Sequence, residues 1–377
     1  MKSPFMYGKI ASGETFTDRE TEQRRLSHNF TSRLNTVLIS PRRWGKSSLV
    51  AKTGFHLERK RKNIRFCYLD LFNVRSEQEF YDYFVQQILR TSSSHWEEQL
   101  ESAKRLLKRI APKFSFGVDP QQDFSVSFDW EEVKRKPEEI LNLPEMIGRQ
   151  KKIQIVVCID EFQNISFFEN PVAFQKKLRA QWQHHKLSTY CLYGSKRHLM
   201  TELFENKSMP FYKFGDVVFL DKISEEYWVT FIVKQFRKTR KSISEKIARR
   251  IAQQMENHPY FVQQLAHTAW TQTTKICTQK ELQESLDTLL IQHAILFQRE
   301  VDNLTNSQIN FLKALCSGVE QFSSIKNLRQ YDMGSSGNVN RIKESLVNKE
   351  IIDITEHKID FLDPLFKTWF STVYSKK

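Results

Sequence analysis

A short apolar strand that leads directly into a basic loop and a helix constrains the fold of this chain more than any other feature. The strand is predicted at Thr36–Ile39 and the helix at residues 46–57, with Gly45, Lys46 and Ser47 at the junction. Backbone N–H groups at a helix start, together with the positive end of the helix dipole, bind phosphate oxygens. Glycine, lysine and a hydroxyl residue at this point are typical of a phosphate-binding loop. The sequence therefore predicts a nucleotide site between a strand and a helix.

The loop departs from the full phosphate-loop pattern at one position. Ser40 replaces the first glycine of that pattern, which removes the freedom for a positive φ at the loop entry. Lys46 is expected to reach the β- and γ-phosphates, and the hydroxyl of Ser47 is expected to hold Mg²⁺. The loop residues assigned to nucleotide binding are Pro41, Arg42, Arg43, Trp44, Gly45, Lys46, Ser47 and Ser48.

A second apolar strand delivers two adjacent carboxylates. Residues 153–159 are apolar almost throughout and are followed by Asp160 and Glu161. Ligands of α/β sheets bind at the carboxyl ends of parallel strands, so these side chains are expected beside the phosphate loop. There Asp160 would anchor Mg²⁺, directly or through water, and Glu161 would orient and polarise the water that attacks the γ-phosphate. The alternative is a solvated turn after a buried strand, but the pair downstream of a phosphate loop favours hydrolysis over binding alone.

The alternation of strands and helices over residues 1–222 predicts an α/β core of the P-loop type with a largely parallel sheet. Besides the elements above, the predicted strands are 64–71, 189–193 and 216–220, and the predicted helices are 77–90 and 171–183. The nucleotide site is expected at the carboxyl edge of this sheet.

An insertion of about residues 91–150 interrupts the alternation. Apolar residues alternate with polar or small ones over 114–118 and again over 124–128, with a polar turn between the two runs. This pattern predicts a β-hairpin. The hairpin either covers an edge of the sheet or binds a partner.

Strand signals stop at Ser224, and apolar residues then recur at helical spacing. Residues 223–298 are therefore predicted to form a helical lid. Over residues 299–377, three predicted helices are followed by two short β runs, an order typical of a winged helix. The helices are expected at 308–315, 323–330 and 339–348, and the β runs at 351–354 and 358–361.

Composition narrows the class of protein further. The chain has 377 residues, of which 40% are hydrophobic, and this excludes low-complexity and collagen-like classes. No apolar run approaches the roughly 18 residues that a membrane span needs, and the N-terminus lacks the apolar region of a signal peptide. Five scattered cysteines without a CxxC pair are interpreted as small core residues in a reducing compartment. We therefore expect a cytoplasmic protein with no membrane partner.

The formal charge of +14 is concentrated in the predicted lid and beside the phosphate loop. Residues 234–250 carry eight lysines and arginines against one acidic residue, Glu245. A second basic cluster, at 59–62 with Arg65, follows the loop helix. These cations either form the solvated faces of amphipathic helices or contact an anionic partner.

The predicted winged helix is neutral, with ten basic and ten acidic residues over 300–377. Its third helix would present Asn338, Asn340, Arg341 and Lys343 to the bases or phosphates of duplex DNA. A domain that relies on phosphate neutralisation is expected to be basic, however. The winged helix therefore serves either to bind DNA or to pack within the chain and contact a protein.

Seven short segments in the same order resemble the archaeal-type ATPase family, a group of prokaryotic AAA+ ATPases close to the STAND and Orc/Cdc6-like groups. They are FTDRE (16–20), PRRWGKSSL (41–49), YLDL (68–71), IDEFQ (159–163), YGS (193–195), NHPY (257–260) and LDPL (362–365). The resemblance covers nearly the whole length. It implies an ATPase core with Walker A and Walker B motifs, a helical lid and a C-terminal winged helix.

The resemblance assigns roles to further residues. Arg19 and Glu20 would lie beside the nucleotide; the alternative is a surface ion pair at a helix start. Ser195 falls at the polar sensor-1 position and would contact the γ-phosphate or the attacking water, unless it caps the next helix. Pro259 would pack against the base.

We therefore expect an ATPase that uses ATP and Mg²⁺ to drive a conformational switch and acts on duplex DNA or on a protein partner. Catalysis is assigned to Glu161, Lys46 and Ser195, and metal binding to Ser47 and Asp160.

Three replaced glycines favour an alternative function. Asp18, Ser40 and Asn257 stand where the family pattern has glycine. The alternative is a nucleotide-gated DNA-binding or signalling scaffold with little or no turnover.

Overall fold

The computed structural model of the chain describes residues 2–9, 18–91, 114–118, 124–128, 136–355 and 358–374. These residues divide into two compact units. The first unit is Arg19–Asp221, which contains the phosphate loop and both carboxylates. The second unit contains 222–374 together with the described residues of the first 18.

A five-stranded parallel sheet forms the centre of the first unit. The strands of this unit are β1 (Thr36–Ile39), β2 (Ile64–Asp70), β3 (Phe114–Val118), β4 (Phe124–Phe128), β5 (Gln154–Asp160), β6 (Ser188–Gly194) and β7 (Asp216–Phe219). The order across the sheet is β2, β5, β6, β1, β7. Every neighbouring pair runs parallel, so the prediction of a parallel α/β core is confirmed.

Helices surround this sheet, and a short 3₁₀ helix, Phe162–Phe167, follows β5. The helices of the first unit are α1 (Glu20–Thr31), α2 (Lys46–Lys60), α3 (Glu77–Thr91), α4 (Pro137–Leu141), α5 (Leu143–Lys151), α6 (Pro171–Trp182) and α7 (Arg197–Glu205). Strand β6 is buried along its whole length, as is β5 up to Ile159, which explains why both lack polar alternation. Trp182 of α6 stacks on Tyr190 of β6 with ring centroids 4.1 Å apart and joins the two layers.

The predicted hairpin is present as an antiparallel pair of β3 and β4, in which Phe114 pairs with Phe128 and Val118 with Phe124. Its turn, at residues 119–123, lies outside the described residues. The choice between covering a sheet edge and binding a partner stays a prediction.

The register of the sheet brings four strand ends to one edge. Ile39 of β1 pairs with Gly194 of β6, and Asp70 of β2 pairs with Asp160 of β5. Because the strands are parallel, the segments that follow β1, β2, β5 and β6 all leave the sheet at this edge. The phosphate loop and the two carboxylates therefore meet there.

A buried carboxylate fixes the start of β6. Glu145 of α5 is 2% exposed, and its Oε2 accepts hydrogen bonds from the backbone N–H groups of Lys186 (3.1 Å), Leu187 (2.7 Å) and Ser188 (3.0 Å). Burial alone would raise the pKa of the Glu145 carboxyl, but the hydrogen bonds, led by that from Leu187, outweigh burial and lower the pKa. The anion therefore stabilises the strand that ends at the candidate site.

The second unit is mainly helical. Its helices are α8 (Glu225–Lys238), α9 (Glu245–Gln254), α10 (Pro259–Gln272), α11 (Gln279–Asp302), α12 (Asn306–Cys316), α13 (Ile325–Gln330), α14 (Ser336–Asn348) and α15 (Pro364–Tyr374). Its strands are β8 (Ser242–Ile243), β9 (Ile276–Cys277), β10 (Ile352–Ile354) and β11 (Ile359–Phe361). Helices α12, α13 and α14 followed by the antiparallel pair of β10 and β11 have the order of a winged helix.

Two features of this unit were absent from the sequence-based prediction. The expectation that strands stop at Ser224 is wrong in one detail, since β8 and β9 form a parallel pair. A two-residue strand is too short to show alternation, which explains why the pair was missed. Helix α15 follows the β-ribbon and buries Phe366 and Phe370.

One hydrophobic core runs through the second unit. Phe297 of α11 lies against Phe366 and Trp369 of α15, with ring centroids 5.4 and 5.6 Å away. Phe5 packs into the same core beside Phe236 of α8, at 5.8 Å. Helix α11 is continuous across the predicted boundary between residues 298 and 299, and the three domain boundaries stay predictions.

The cysteines take no part in disulfides. Cys67, Cys158, Cys191 and Cys277 are buried and Cys316 is half-buried, as expected for small core residues. Over the described ranges, the structure contains no helix with both the length and the apolar content that crossing a bilayer requires.

We expect Glu145→Gln to lower the free energy of unfolding by about 1–3 kcal/mol at pH 7, because an amide oxygen replaces a carboxylate that accepts three backbone N–H groups. The folded pKa of Glu145 lies below the unfolded value of about 4.3, so its contribution is present above that pH and is lost as the pH falls through the folded pKa. Urea unfolding at pH 7 and pH 3 measures both effects. The difference in unfolding free energy between the parent protein and the variant should be smaller at pH 3 than at pH 7.

The exposed Glu138 of α4 supplies the matched control. Glu138→Gln removes the same charge and should change the unfolding free energy by less than about 0.5 kcal/mol at either pH. Equal effects of the two variants would show that the Glu145 contacts do not stabilise β6.

Candidate active site

The phosphate loop connects β1 to α2 through two residues in the left-handed region. Gly45, directly before α2, has φ 93° and ψ 17°, and Arg43 has φ 63°. Such angles favour glycine, which explains the glycine at position 45. Arg42 and Arg43 are exposed, whereas Trp44 and Ser48 are buried. The loop thus turns the chain so that the first turn of α2 begins at Lys46.

The serine at position 40, where the family pattern has glycine, does not change the backbone conformation of the loop. Ser40 is fully buried and is not among the residues with a positive φ, so the freedom that a glycine would supply is not needed here. Its carbonyl oxygen accepts a hydrogen bond from Nζ of Lys46 at 2.8 Å, and that of Pro41 accepts another at 2.9 Å. The buried ammonium group is therefore held inside the loop.

A hydrogen bond joins the phosphate loop to β5. Oγ of Ser47 donates to Oδ2 of Asp160 at 2.5 Å, and the backbone N–H of Glu161 donates to Oδ1 of the same carboxylate at 2.9 Å. Burial raises the pKa of Asp160 to about 6; the charge of Glu161 acts in the same direction, while the bond from Ser47 opposes it. The two predicted metal ligands therefore lie in direct contact.

Glu161 is held in an unusual conformation. It directly follows β5 with φ 50° and ψ 39°, in the left-handed region. Its Oε2 accepts hydrogen bonds from Oγ of Ser195 (2.8 Å), from N–H of Ser195 (3.4 Å) and from Nε2 of Gln163 (2.5 Å). A strained backbone that is fixed by several contacts is common at functional sites.

Ser195 contacts Glu161 and does not cap the next helix. The residue before the first turn of α7 is Lys196, and Ser195 is buried at the end of β6. The capping alternative is therefore wrong. The contact with a γ-phosphate or water stays a prediction.

Gln163 and Gly194 are site residues whose roles the sequence did not reveal. A Cβ at Gly194 would overlap Oε1 of Gln163 and would lie 2.7 Å from Sδ of Met200, so glycine makes room for the amide that bonds Glu161. Oε1 of Gln163 is buried without a hydrogen-bond partner among the described residues. Both residues fall inside matched segments, IDEFQ and YGS, but the contact between them depends on tertiary structure.

Arg19 is a buried residue of the first unit rather than part of a surface ion pair. It is 4% exposed, and it donates hydrogen bonds to Oε1 of Glu22 (2.9 Å) and to the carbonyl oxygen of Asp221 (2.5 Å). Its partner in α1 is therefore Glu22, while Glu20 is exposed. The role of Arg19 in nucleotide binding stays a prediction.

Asp18 and Asn257 replace glycines without changing the conformation that glycine favours. Their φ angles are 58° and 60°, and Asp and Asn tolerate the left-handed region better than most residues. In the second unit, Asn257 leads into His258, whose Nδ1 accepts from the N–H of Tyr260 at the start of α10. Pro259 is the first residue of that helix, and its contact with a base stays a prediction.

The strand order, the loop before α2 and the paired carboxylates at the end of β5 define the class: an α/β P-loop ATPase fold with a C-terminal winged helix. The C-terminal part matches a family model described as "Probable winged helix domain" over residues 295–372. No protein in the curated set matches the chain.

Solved structures share this fold over nearly the whole chain. A Walker-type ATPase of Pyrococcus abyssi is 17% identical with a TM-score of 0.66, over 95% of this chain and 96% of that one. The ORC2 protein of Aeropyrum pernix in its ADP form is 11% identical with a TM-score of 0.53, over 99% and 97%. The ORC1 protein of Aeropyrum pernix in complex with DNA is 9% identical with a TM-score of 0.50, over 96% and 94%. The resemblance to Orc/Cdc6-like ATPases is thus confirmed at the level of the fold.

We expect Gly194→Ala to lower the free energy of unfolding by about 1–3 kcal/mol, because the new methyl group overlaps the Gln163 amide. In a Gln163→Ala background the overlap with the amide is removed and only the close approach to Sδ of Met200 remains, so the same substitution should cost at least about 1 kcal/mol less. Urea unfolding of the four proteins gives this interaction free energy. Additive costs would show that the two positions do not contact each other.

Proposed function

We propose that this protein is an ATPase that binds ATP with Mg²⁺ and hydrolyses it. The observation that carries the proposal is the 2.5 Å hydrogen bond between Ser47 of the phosphate loop and Asp160 at the end of β5, with Glu161 next to it. A hydroxyl from the loop, a carboxylate from another strand of the sheet and a second carboxylate beside it are the groups that phosphoryl transfer from a nucleotide to water requires.

Phosphate binding is assigned to the loop and the start of α2. The backbone N–H groups there and the helix dipole attract phosphate oxygens. Lys46 lies inside the loop with its ammonium group on two carbonyl oxygens, from which it would move to the β- and γ-phosphates. A buried ammonium interacts strongly with a phosphate because little water screens it.

Ser47 and Asp160 fit a magnesium ion by the chemistry of their donor atoms. A hydroxyl and a carboxylate oxygen are the hard ligands that Mg²⁺ prefers, and the ion commonly completes its shell with water and phosphate oxygens. When bound, Mg²⁺ neutralises charge on the β- and γ-phosphates. The two residues would hold it where the loop meets β5.

Glu161 is the proposed general base. The three hydrogen bonds from Gln163 and Ser195 all reach Oε2, so Oε1 is the oxygen assigned to the attacking water. The water oxygen forms a bond to the γ-phosphorus, the bond to the β,γ-bridging oxygen breaks, ADP leaves and Oε1 accepts the proton. Gln163 and Ser195 act as positioning residues because they fix the carboxylate.

The three positions at which the chain departs from the family glycines do not favour a scaffold without turnover. Asp18 and Asn257 keep left-handed angles, and Ser40 does not need one. We propose that turnover drives a conformational switch acting on DNA or a protein partner. The DNA complex of the structurally similar ORC1 protein makes DNA the first partner to test.

We expect Lys46→Ala to weaken ATP binding by about 10- to 100-fold, because a charge-assisted phosphate contact is worth about 1.5–3 kcal/mol. Glu161→Gln should bind ATP like the parent protein but release phosphate about 10²–10⁴-fold more slowly, as expected when a general base is lost. Equilibrium binding of a fluorescent ATP analogue and a phosphate-release assay with Mg²⁺ separate the two effects.

Lys60→Ala provides the control, since Lys60 is an exposed lysine at the other end of α2. It should bind and hydrolyse ATP like the parent. If Lys46→Ala hydrolysed ATP as fast as Lys60→Ala, the site assignment would be wrong. A parent protein that binds ATP without releasing phosphate would favour the scaffold instead.

A further inference from the structure

The junction between α8 and α9 carries a dense positive charge. Residues 234–250 contain eight basic side chains and a single acidic one, that of Glu245. Helix α8 ends at Lys238 and α9 begins at Glu245, so much of this charge lies at or near the turn between the two helices. A charge of one sign at this density is costly to maintain without a counter-charge.

Four exposed cations define a surface that we name the basic lid turn: Arg237, Arg240, Lys246 and Lys275. The first three lie at the end of α8, in the turn and in the first turn of α9. Lys275 belongs with them because its carbonyl oxygen accepts a hydrogen bond from the N–H of Ser242 in the turn, at 2.8 Å.

Other cations of the same segment have structural partners. Arg249 pairs with Glu225 and lies 3.8 Å from Glu226, and Arg250 donates to the side-chain oxygen of Gln279. Nζ of Lys241 donates to the carbonyl oxygen of Trp270 at 2.7 Å and lies 4.3 Å from the centre of its ring. These contacts give Arg249, Arg250 and Lys241 a structural role, whereas the side chains of the basic lid turn are exposed.

The winged helix is a poorer match for nucleic acid. The side chain of Asn338 donates to the carbonyl oxygen of Met333 at 2.9 Å, and the ammonium of Lys343 lies 5.4 Å from the ring centre of Phe322. Of the four residues predicted to face DNA, Asn340 and Arg341 are the exposed ones. Together with the zero net charge of residues 300–377, this leaves little to neutralise phosphates.

We propose that the basic lid turn binds the phosphate backbone of a nucleic acid, without reading its base sequence. Arginine and lysine side chains on a polar surface provide this type of contact. A lipid surface fits less well, because membrane-binding helices insert an apolar face. Phe236 of α8 and Ile251 of α9 are fully buried in the core of the unit, so the apolar faces of these helices are occupied.

The test measures binding of a labelled 30-base-pair DNA duplex of arbitrary sequence to the full chain by fluorescence anisotropy, over a range of sodium chloride concentrations. The variant combines Arg237→Gln, Arg240→Gln and Lys246→Gln. We expect it to bind at least about 10-fold more weakly at low salt and to lower the slope of log K against log salt by about 2–3, since each phosphate contact contributes about 0.9. A second duplex of unrelated sequence should bind with the same affinity.

Two matched variants control for charge and for position. Lys60→Gln, Arg61→Gln and Lys62→Gln together remove three exposed charges from the first unit. Asn340→Ala with Arg341→Gln alters the winged helix. Both should bind the duplex within about threefold of the parent, since neither changes the basic lid turn. Circular dichroism and Mg²⁺-dependent phosphate release confirm that each variant is folded.

Several results would overturn the proposal. The first is that the parent protein does not bind the duplex at 50 mM salt. The second is that the variant of the basic lid turn binds as tightly as the parent. The third is that only the winged-helix variant loses binding. Binding to vesicles of phosphatidylserine and phosphatidylcholine without binding to the duplex would assign the surface to a membrane. Because phosphate release is measured without DNA, failure of the DNA test and failure of the proposed ATPase activity are distinguishable.

Discussion

The hydrogen bond between Ser47 and Asp160 is the contact on which the rest of the site depends. It joins the first turn of α2 to the end of β5, although β1 and β5 are separated in the sheet by β6. The contact requires that the strands end at one level, and the pairing of Ile39 with Gly194 and of Ile159 with Leu192 provides this. The geometry of the candidate site is thus a consequence of sheet register.

The carboxylate of Glu161 depends on a second set of contacts that crosses the same strands. Ser195 and Gln163 hold its Oε2, and the missing side chain at Gly194 makes room for Gln163. Left-handed backbone angles at Glu161 cost free energy that these contacts offset. A carboxylate that is fixed before substrate arrives needs less reorganisation in the transition state.

Patterns within short segments made most of the fold predictable. The unbroken apolar run before Asp160, the junction at Gly45–Ser47 and the hairpin alternation each report on local structure, and the structure confirms all three. The contacts of Glu161 with Ser195 and of Gln163 with Gly194 could not be read from the sequence, because they depend on how β5 and β6 are paired. The pair of β8 and β9 was missed because two residues do not show a period.

A double-mutant cycle on Ser47 and Asp160 tests most directly whether these residues form one catalytic site. The measurement is Mg²⁺-dependent phosphate release. If the two side chains hold one ion together, Ser47→Ala and Asp160→Asn should each slow the reaction, and the double variant should be no slower than the slower single variant. Effects that multiply, or a parent protein that releases no phosphate from ATP, would contradict the assignment of these residues to one catalytic site.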